Sequence, residues 1–210
     1  MVKKNKPQYN NIFVDFDGVI SNSNELKKQN ILKAATTYLS VSQTKDFVSY
    51  FTSNNGIPRE KKIYSYIKDV KIADKILIDY NKLNVSLLNA PLINGVEEFL
   101  KKNTQTKIIV LSGGDLEEIS KYLAFHLIDI FFTDILCGPK TKEDNIKNYN
   151  LSYPALFIGD SLHDYEIAQK FNFDFVFMFG ATQEAEWQNH IFKNTLFIKD
   201  FINFELLWEK

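Results

Sequence analysis

Six short apolar runs, each about the length of a β-strand, most constrain the fold of this chain of 210 residues. Several are almost continuously apolar, which is typical of strands buried on both faces of a parallel sheet. Helical patterns separate the runs from residue 94 onward, so the sequence predicts repeated βα units and an α/β fold. The predicted strands cover residues 11–16, 107–111, 130–135, 155–158, 173–179 and 195–198.

The interval between the first two runs contains no convincing strand. It carries helical patterns instead, at residues 23–39, 44–52, 59–67 and 72–88. Asn94 and Gly95 form a turn signal where the alternation of strands and helices resumes. We therefore expect an α/β core domain formed by residues 1–20 and 91–210, with an inserted helical domain formed by residues 21–90.

Composition excludes several classes of protein. Hydrophobic residues form 45% of the chain, too large a share for a disordered protein. The formal net charge is -1, so no global basic field attracts nucleic acid or anionic lipid. No apolar segment has the length of a membrane span or the character of a signal peptide. Because Cys137 is the single cysteine, the sequence suits a reducing compartment, and we expect a cytoplasmic protein that binds neither nucleic acid nor membrane.

The first predicted strand ends in two carboxylates, Asp15 and Asp17, followed by Gly18. Residues i and i+2 of an extended chain point the same way, so both carboxylates lie on one side. Ligands bind at the carboxyl ends of parallel strands, and two like charges this close favour a bound cation or a proton. The structural alternative is a pair of acidic residues that end a strand at the surface.

Two later turns carry groups that can bind an anion. Ser112 and Gly113 follow the predicted strand at 107–111, where a hydroxyl and open backbone N–H groups can hold an anion. Lys140 and Lys142 lie at the start of a helical pattern. A helix N-terminus disfavours a cation, so a lysine there indicates an anionic partner, with a solvated surface charge as the alternative.

Asp160 and Asp164 follow the predicted strand at 155–158. If a helix begins near Ser161, both carboxylates can face the ends of the strands. The structural alternatives are an N-cap role for Asp160 and an exposed position on the helix for Asp164. Since all four reactive segments follow predicted strands, their order favours one shared site at one edge of the sheet.

The sequence resembles the haloacid dehalogenase-like (HAD) superfamily in four motifs. These are Asp15-Phe16-Asp17-Gly18-Val19, Leu111-Ser112-Gly113, Lys142 and Gly159-Asp160-Ser161-Leu162-His163-Asp164. The resemblance implies a Rossmann-like parallel sheet with helices on both faces. It also implies that the helical insertion is a C1-type cap, as in members similar to phosphoglycolate phosphatase. Lys142 fits the lysine motif better than Lys140, although both stay open as candidates.

The activity implied by the resemblance is that of a Mg²⁺-dependent phosphatase acting on a small phosphorylated metabolite, either a sugar phosphate or phosphoglycolate. In that mechanism Asp15 is the nucleophile that forms an aspartyl-phosphate, and Asp17 is the general acid and base. Ser112, Gly113 and Lys142 hold the phosphoryl oxygens. An acid at position 17 favours phosphate esters over haloacids, because a halide leaves without a proton.

The implied Mg²⁺ ligands are Asp15, the backbone carbonyl of Asp17, Asp160 and Asp164. Within the cap, the resemblance points to Arg59, the chain's one arginine, and to Lys62 as residues that select the substrate. The alternative for Arg59 is a surface helix residue paired with an acid.

Three other functions stay open. A phosphomutase of the β-phosphoglucomutase type would transfer the phosphoryl group to a second hydroxyl. A phosphonate hydrolase would need a lysine in the cap that forms a Schiff base. A module that only binds a phosphorylated ligand would need no catalytic residues.

Overall fold

The computed structural model describes residues 7–184, 186–190, 192–193, 195–202 and 204–208. Within these ranges, six strands form one sheet in the order β3-β2-β1-β4-β5-β6, and every neighbouring pair is parallel. The strands are β1 Asn11–Val14, β2 Lys107–Leu111, β3 Asp134–Leu136, β4 Ala155–Gly159, β5 Asp174–Met178 and β6 Thr195–Ile198.

Strand β1 lies at the centre of the sheet, between β2 and β4. Val14 pairs with Val110 of β2 and with Ile158 of β4, so the three strands end side by side. Phe13 packs into the apolar cluster on one face, whereas Ile12 and Val14 pack into the cluster on the other. The near-continuous apolar runs therefore reflect burial on both faces, and the predicted parallel α/β sheet is confirmed.

Helices follow the strands as predicted. In the core they are α5 Val96–Lys102, α6 Leu116–Phe125, α7 Lys142–Lys147 and α8 Leu162–Lys170. Short 3-10 turns cover Asp129–Phe131, Trp187–Asn189 and Phe204–Trp208. Asp115 caps α6 by accepting from the backbone N–H groups of Glu117 and Glu118, and Ser161 caps α8 through the N–H of Asp164.

The strand predicted at 130–135 was wrong over residues 130–133. The 3-10 turn Asp129–Phe131 covers the beginning of that interval, and Ile130 is 80% exposed. Phe131 instead packs against the edge of the core cluster, and β3 begins only at Asp134. Apolar residues that cover a core edge in a turn have the same composition as a strand, so the pattern did not separate the two cases.

The segment between β1 and α5 is helical. It contains α1 Asn24–Thr36, α2 Val41–Ser53, α3 Arg59–Tyr66, α4 Val70–Leu83 and a 3-10 turn, Asn84–Asn89, that replaces the last part of the helix predicted at 72–88. A third apolar cluster joins these helices, with Ile31, Phe47, Ile63 and Ile76 fully buried in it. The helical segment thus has its own small core.

Two neighbouring linkers connect the helical segment to the sheet. The N–H of Ile93 donates to the carbonyl of Ile20, and the N–H of Asn22 donates to that of Pro91, both at 2.9 Å. The chain therefore leaves and returns beside the carboxyl end of β1, which places the helices over that edge of the sheet. In the described part of the chain, no helix is long and apolar enough to cross a membrane.

Candidate active site

Asp15 follows β1 directly and is 5% exposed. Its Oδ1 accepts from the N–H of Phe16 at 2.7 Å and lies 2.9 Å from Nζ of Lys142. Its backbone N–H donates to the carbonyl of Ile158, which extends the pairing of β1 with β4 by one residue. The carboxylate is thereby fixed at the centre of the sheet edge.

Asp17 lies two residues after Asp15, on the loop that follows β1, and its carboxylate contacts residues of the helical segment. The hydroxyl of Ser23 donates to Oδ1 of Asp17 at 2.6 Å, and the ammonium of Lys27 pairs with Oδ2. Burial raises the pKa of Asp17, but Lys27 and Ser23 outweigh it and hold this pKa below its ordinary value. The resting side chain is therefore a carboxylate. Ser23 is the N-cap residue of α1, but its side chain forms no capping hydrogen bond and its hydroxyl points to Asp17 instead.

Two further buried carboxylates, Asp160 and Asp164, converge beside Asp15. Oxygens of Asp15, Asp160 and Asp164 lie within 4.8 Å of one another. Burial raises the pKa of Asp160 well above its ordinary value, and the neighbouring charges of Asp15 and Asp164 raise it further. Burial raises the pKa of Asp15 to about 7, although Lys142 opposes the shift. Carboxylates this close require a cation or protons.

Asp160 and Asp164 do not take the positions of the structural alternatives. Ser161, not Asp160, is the N-cap of α8, and Asp164 is fully buried. Oδ2 of Asp160 accepts from Nδ2 of Asn24 at 2.8 Å, while Oδ2 of Asp164 accepts from the Ser161 hydroxyl at 2.7 Å. Gly18 allows the close approach, because its φ is +78° and a Cβ there would overlap the Asp160 carboxylate.

Lys142 bridges the carboxylates. The side chain is fully buried, and its Nζ lies 2.9 Å from Oδ1 of Asp15 and 2.5 Å from Oδ1 of Asp164. Burial lowers the pKa of Lys142, but Asp15 and Asp164 raise it by more than burial lowers it. The net shift is upward, so the side chain stays an ammonium. Lys140, the other candidate, is exposed to solvent. The structure therefore places Lys142, at the first residue of α7, in the site.

Ser112 and Gly113 form the third side of the site. Ser112 follows β2, is 1% exposed, and accepts from the N–H of Gly114 through its Oγ at 3.0 Å. A Cβ on Gly113 would overlap the carbonyl oxygen of Gly56 and lie 2.7 Å from its carbonyl carbon. Only a glycine therefore lets the loop between α2 and α3 rest on this turn.

A small cavity joins these groups. Its volume is about 50 Å³, and it lies between the sheet edge and the helical segment. The sheet side contributes Asp15, Asp17, Ser112, Gly113 and Asp160 to its wall, and the helical side contributes Lys27, Arg59, Lys62, Phe51 and Tyr80. Carboxylates therefore line one side of the cavity and cations line the other.

Arg59 and Lys62 both line the cavity, but their partners differ. Arg59 is 6% exposed and makes a two-pronged ion pair with Glu118, with Nη1 to Oε1 at 2.6 Å. It thus pairs with an acid, but as a buried residue that links α3 to α6. Lys62 is 7% exposed, and its Nζ donates to the carbonyl of Phe51 at 3.1 Å.

Sequence reasoning missed Ser23, Asn24 and Lys27. All three lie at the start of α1, and each contacts Asp17 or Asp160. Lys27 carried no usable signal, because lysine is abundant throughout the chain. Asn24 and Ser23 had a weak one, since polar residues directly after a strand-end motif lie close to it in space.

The haloacid dehalogenase-like hydrolase family model matches residues 12–178. The chain belongs to this family. The resemblance seen in the four motifs is thereby confirmed, and the protein is a HAD-like hydrolase. No curated protein sequence matches the chain.

Solved structures share the HAD-like fold over most of the chain. A predicted phosphatase from Clostridium acetobutylicum has a TM-score of 0.73 at 20% identity, covering 91% of this chain and 94% of its own. YfnB from Bacillus subtilis, bound to magnesium, has a TM-score of 0.67 at 15% identity, covering 97% and 100%. CbbY from Rhodobacter sphaeroides, in complex with phosphate, has a TM-score of 0.66 at 13% identity, covering 92% and 95%. At such identities the likeness shows the fold.

Proposed function

We propose that the protein is a Mg²⁺-dependent phosphatase that hydrolyses a small phosphorylated metabolite through an aspartyl-phosphate on Asp15. The observation that carries the proposal is the position of Asp15, a buried carboxylate held between Lys142 and two further carboxylates at the central strand end. The names of two similar structures, one bound to magnesium and one in complex with phosphate, agree with this chemistry.

In the first step an oxygen of Asp15 attacks phosphorus, and the bond from phosphorus to the leaving oxygen breaks. Oδ1 of Asp15 is fixed by Phe16 and Lys142, which leaves Oδ2 as the attacking atom. The groups proposed to hold the phosphoryl oxygens are the Ser112 hydroxyl, the N–H of Gly113 and the Lys142 ammonium; Ser112 and Gly113 line the cavity, and Lys142 contacts Asp15. Fixed donors of this kind stabilise charge in the transition state without reorganising.

Asp17 is the proposed general acid and base. It would give a proton to the leaving oxygen and later take one from the water that cleaves the aspartyl-phosphate. Its ion pair with Lys27 favours the ionised form, which is the form that the second step needs. For the first step Asp17 must be protonated, so we expect the bound ester to weaken its ion pair with Lys27.

The acidic cluster fits Mg²⁺. Its ligand atoms are carboxylate oxygens, which a hard cation prefers, and three carboxylates there share one ammonium. A divalent ion would balance the excess negative charge. We propose Asp15, Asp160, Asp164 and the backbone carbonyl of Asp17 as the groups that hold it. When bound, Mg²⁺ supplies positive charge against the phosphoryl oxygens.

The helical segment, residues 21–90, is the proposed cap domain, and residues 1–20 and 91–210 are the proposed core. The contact between Gly56 and Gly113 would then be the point where the cap closes on the phosphate-binding turn. We propose the cytoplasm as its location, because the single cysteine is buried and forms no disulfide.

The test is release of inorganic phosphate from a panel of phosphate monoesters, with and without Mg²⁺. We expect turnover that requires the metal and that Asp15→Asn abolishes while circular dichroism stays unchanged. Turnover that survives in Asp15→Asn would refute the nucleophile assignment. Isomerised ester without phosphate release would identify a phosphomutase, and binding without turnover would identify a binding module.

A further inference from the structure

Four cationic side chains of the helical segment, Lys27, Lys28, Arg59 and Lys62, line the cavity opposite the carboxylates. Lys28 is exposed and keeps its hydration, so the three less exposed cations, Lys27, Arg59 and Lys62, are the ones compared below. In the proposed phosphatase, the phosphoryl group lies on the carboxylate side, so the leaving group faces these cations. Which of them can bind a group on the substrate depends on which is free of a carboxylate partner.

Two of the three cations are already paired. Arg59 donates to both oxygens of Glu118 on α6 and to Oδ1 of Asn81 at 2.8 Å. Its guanidinium also lies 5.3 Å from the ring of Tyr80. Lys27 is paired with Asp17. A substrate anion bound through either residue would have to share that cation with the carboxylate it already pairs with.

Lys62 has no such partner. Among the residues that the structure describes, no carboxylate forms an ion pair with it. Its ammonium lies 3.7 Å from the ring centre of Phe51 and donates to the Phe51 carbonyl, whereas an ammonium has three donors. A buried charge without a counter-ion is costly, so a protein that retains one at a ligand cavity gains a binding site in return.

We propose that Lys62 binds a second anionic group, a carboxylate or a phosphate, on the leaving-group side of the substrate. The inference rests on the proposed phosphatase function and specifies its substrate class as phosphate monoesters with an anionic tail. An anion there would supply the counter-charge that Lys62 lacks.

The experiment compares three two-carbon phosphate monoesters, which end in a hydroxyl, a carboxylate or a second phosphate. For the wild-type protein we expect kcat/KM to be roughly ten- to a hundredfold higher for an anionic tail than for the hydroxyl, the worth of one hydrogen bond to a charged group. The carboxylate and phosphate arms identify which anion is bound.

The deciding variant is Lys62→Met, which is similar in length and uncharged. We expect kcat/KM for the two anionic esters to fall to about the value for the hydroxyl ester, so that the preference for an anionic tail is lost. Lys61→Met is the matched control, since Lys61 precedes it on the same helix and is exposed. Thermal unfolding of each variant checks that lost preference does not come from lost fold.

Failures of the two proposals look different. If no ester releases phosphate, the phosphatase proposal fails. If the esters are hydrolysed without preference, or Lys62→Met keeps the preference, the role of Lys62 is overturned. Borohydride trapping of Lys62 with a substrate that carries a carbonyl would assign the amine to Schiff-base chemistry and would overturn it as well.

Discussion

Replacing Lys62 by methionine should stabilise the protein at neutral and acid pH. Burial lowers the pKa of Lys62 from 10.5 to about 7, with the nearby charges of Lys27 and Arg59 lowering it further and Asp17 opposing them. An ionisable group whose pKa differs between the folded and unfolded states makes stability depend on pH. The substitution of Lys62 by methionine removes the contribution of this one group to the pH dependence of the free energy of unfolding.

The sign follows from the direction of the shift. Between about pH 7 and pH 10.5 the unfolded chain binds the proton on Lys62 and the folded chain does not, so stability rises with pH across this window. Below the window both states are protonated, and the folded state bears the full cost of a buried ammonium. Above it both states are neutral, and the cost vanishes.

The size of the effect comes from the shift. At 1.36 kcal/mol per pKa unit, a fall from 10.5 to about 7 corresponds to roughly 5 kcal/mol below pH 7 and roughly 2 kcal/mol at pH 9. Methionine also loses the hydrogen bond to the Phe51 carbonyl, which costs about 1 kcal/mol at every pH. We therefore expect Lys62→Met to be more stable by roughly 4 kcal/mol at pH 6, or about 10 °C in Tm.

The assay is urea unfolding of the wild type, Lys62→Met and Lys61→Met at pH 6, 7.5, 9 and 10. Titrating groups that both proteins share cancel in the difference between their free energies of unfolding. The change of that difference with pH therefore reports the titration of Lys62. Lys61→Met should differ from the wild type by less than about 0.5 kcal/mol throughout. A Lys62→Met difference that stays constant from pH 6 to pH 10 would refute the burial of an unpaired ammonium.

Three further predictions concern the site and its closure. Asp15→Asn should lower kcat by at least about a thousandfold while the protein stays folded, measured by phosphate release and circular dichroism. Gly113→Ala should raise KM at least about tenfold without unfolding the protein, because its Cβ would lie 2.7 Å from the Gly56 carbonyl carbon and hold the two loops apart. Arg59→Lys should cost about 1 kcal/mol in urea unfolding by losing one prong of the pair with Glu118, and kcat/KM should change little; a large fall in kcat/KM would instead show that Arg59 binds the substrate.

The core of the site could be predicted from the sequence because parallel strands end at one edge of a sheet. Asp15, Ser112 and Asp160 each follow a strand, and β1 pairs with both β2 and β4, so these residues meet without any long-range contact having to be guessed. Lys142 was predictable only as one of two lysines. What separates it from Lys140 is a depth of burial that a sequence pattern does not express.

The helical side of the site could not be predicted in the same way. Helical spacing shows which residues share a face, but not which strand end that face meets after folding. Being the one arginine made Arg59 conspicuous, yet its guanidinium is occupied by Glu118, a residue 59 positions away. Lysine is abundant in the chain, so composition did not distinguish Lys62. The role proposed for it rests on the absence of a carboxylate partner among the residues that the structure describes.

The division of charge between the two sides of the cavity explains why this chain carries a helical insertion directly after β1. Strand ends bring carboxylates together efficiently, but an anionic ester approaching them meets like charge even when one lysine lies among them. A loop cannot readily bury cations, since a desolvated ammonium needs surrounding structure to hold it. Helices with their own apolar core can do so, and α3 holds both Arg59 and Lys62 against Tyr80 and Phe51. Because the inserted segment leaves and returns beside the carboxyl end of β1, its cations can lie opposite Asp15.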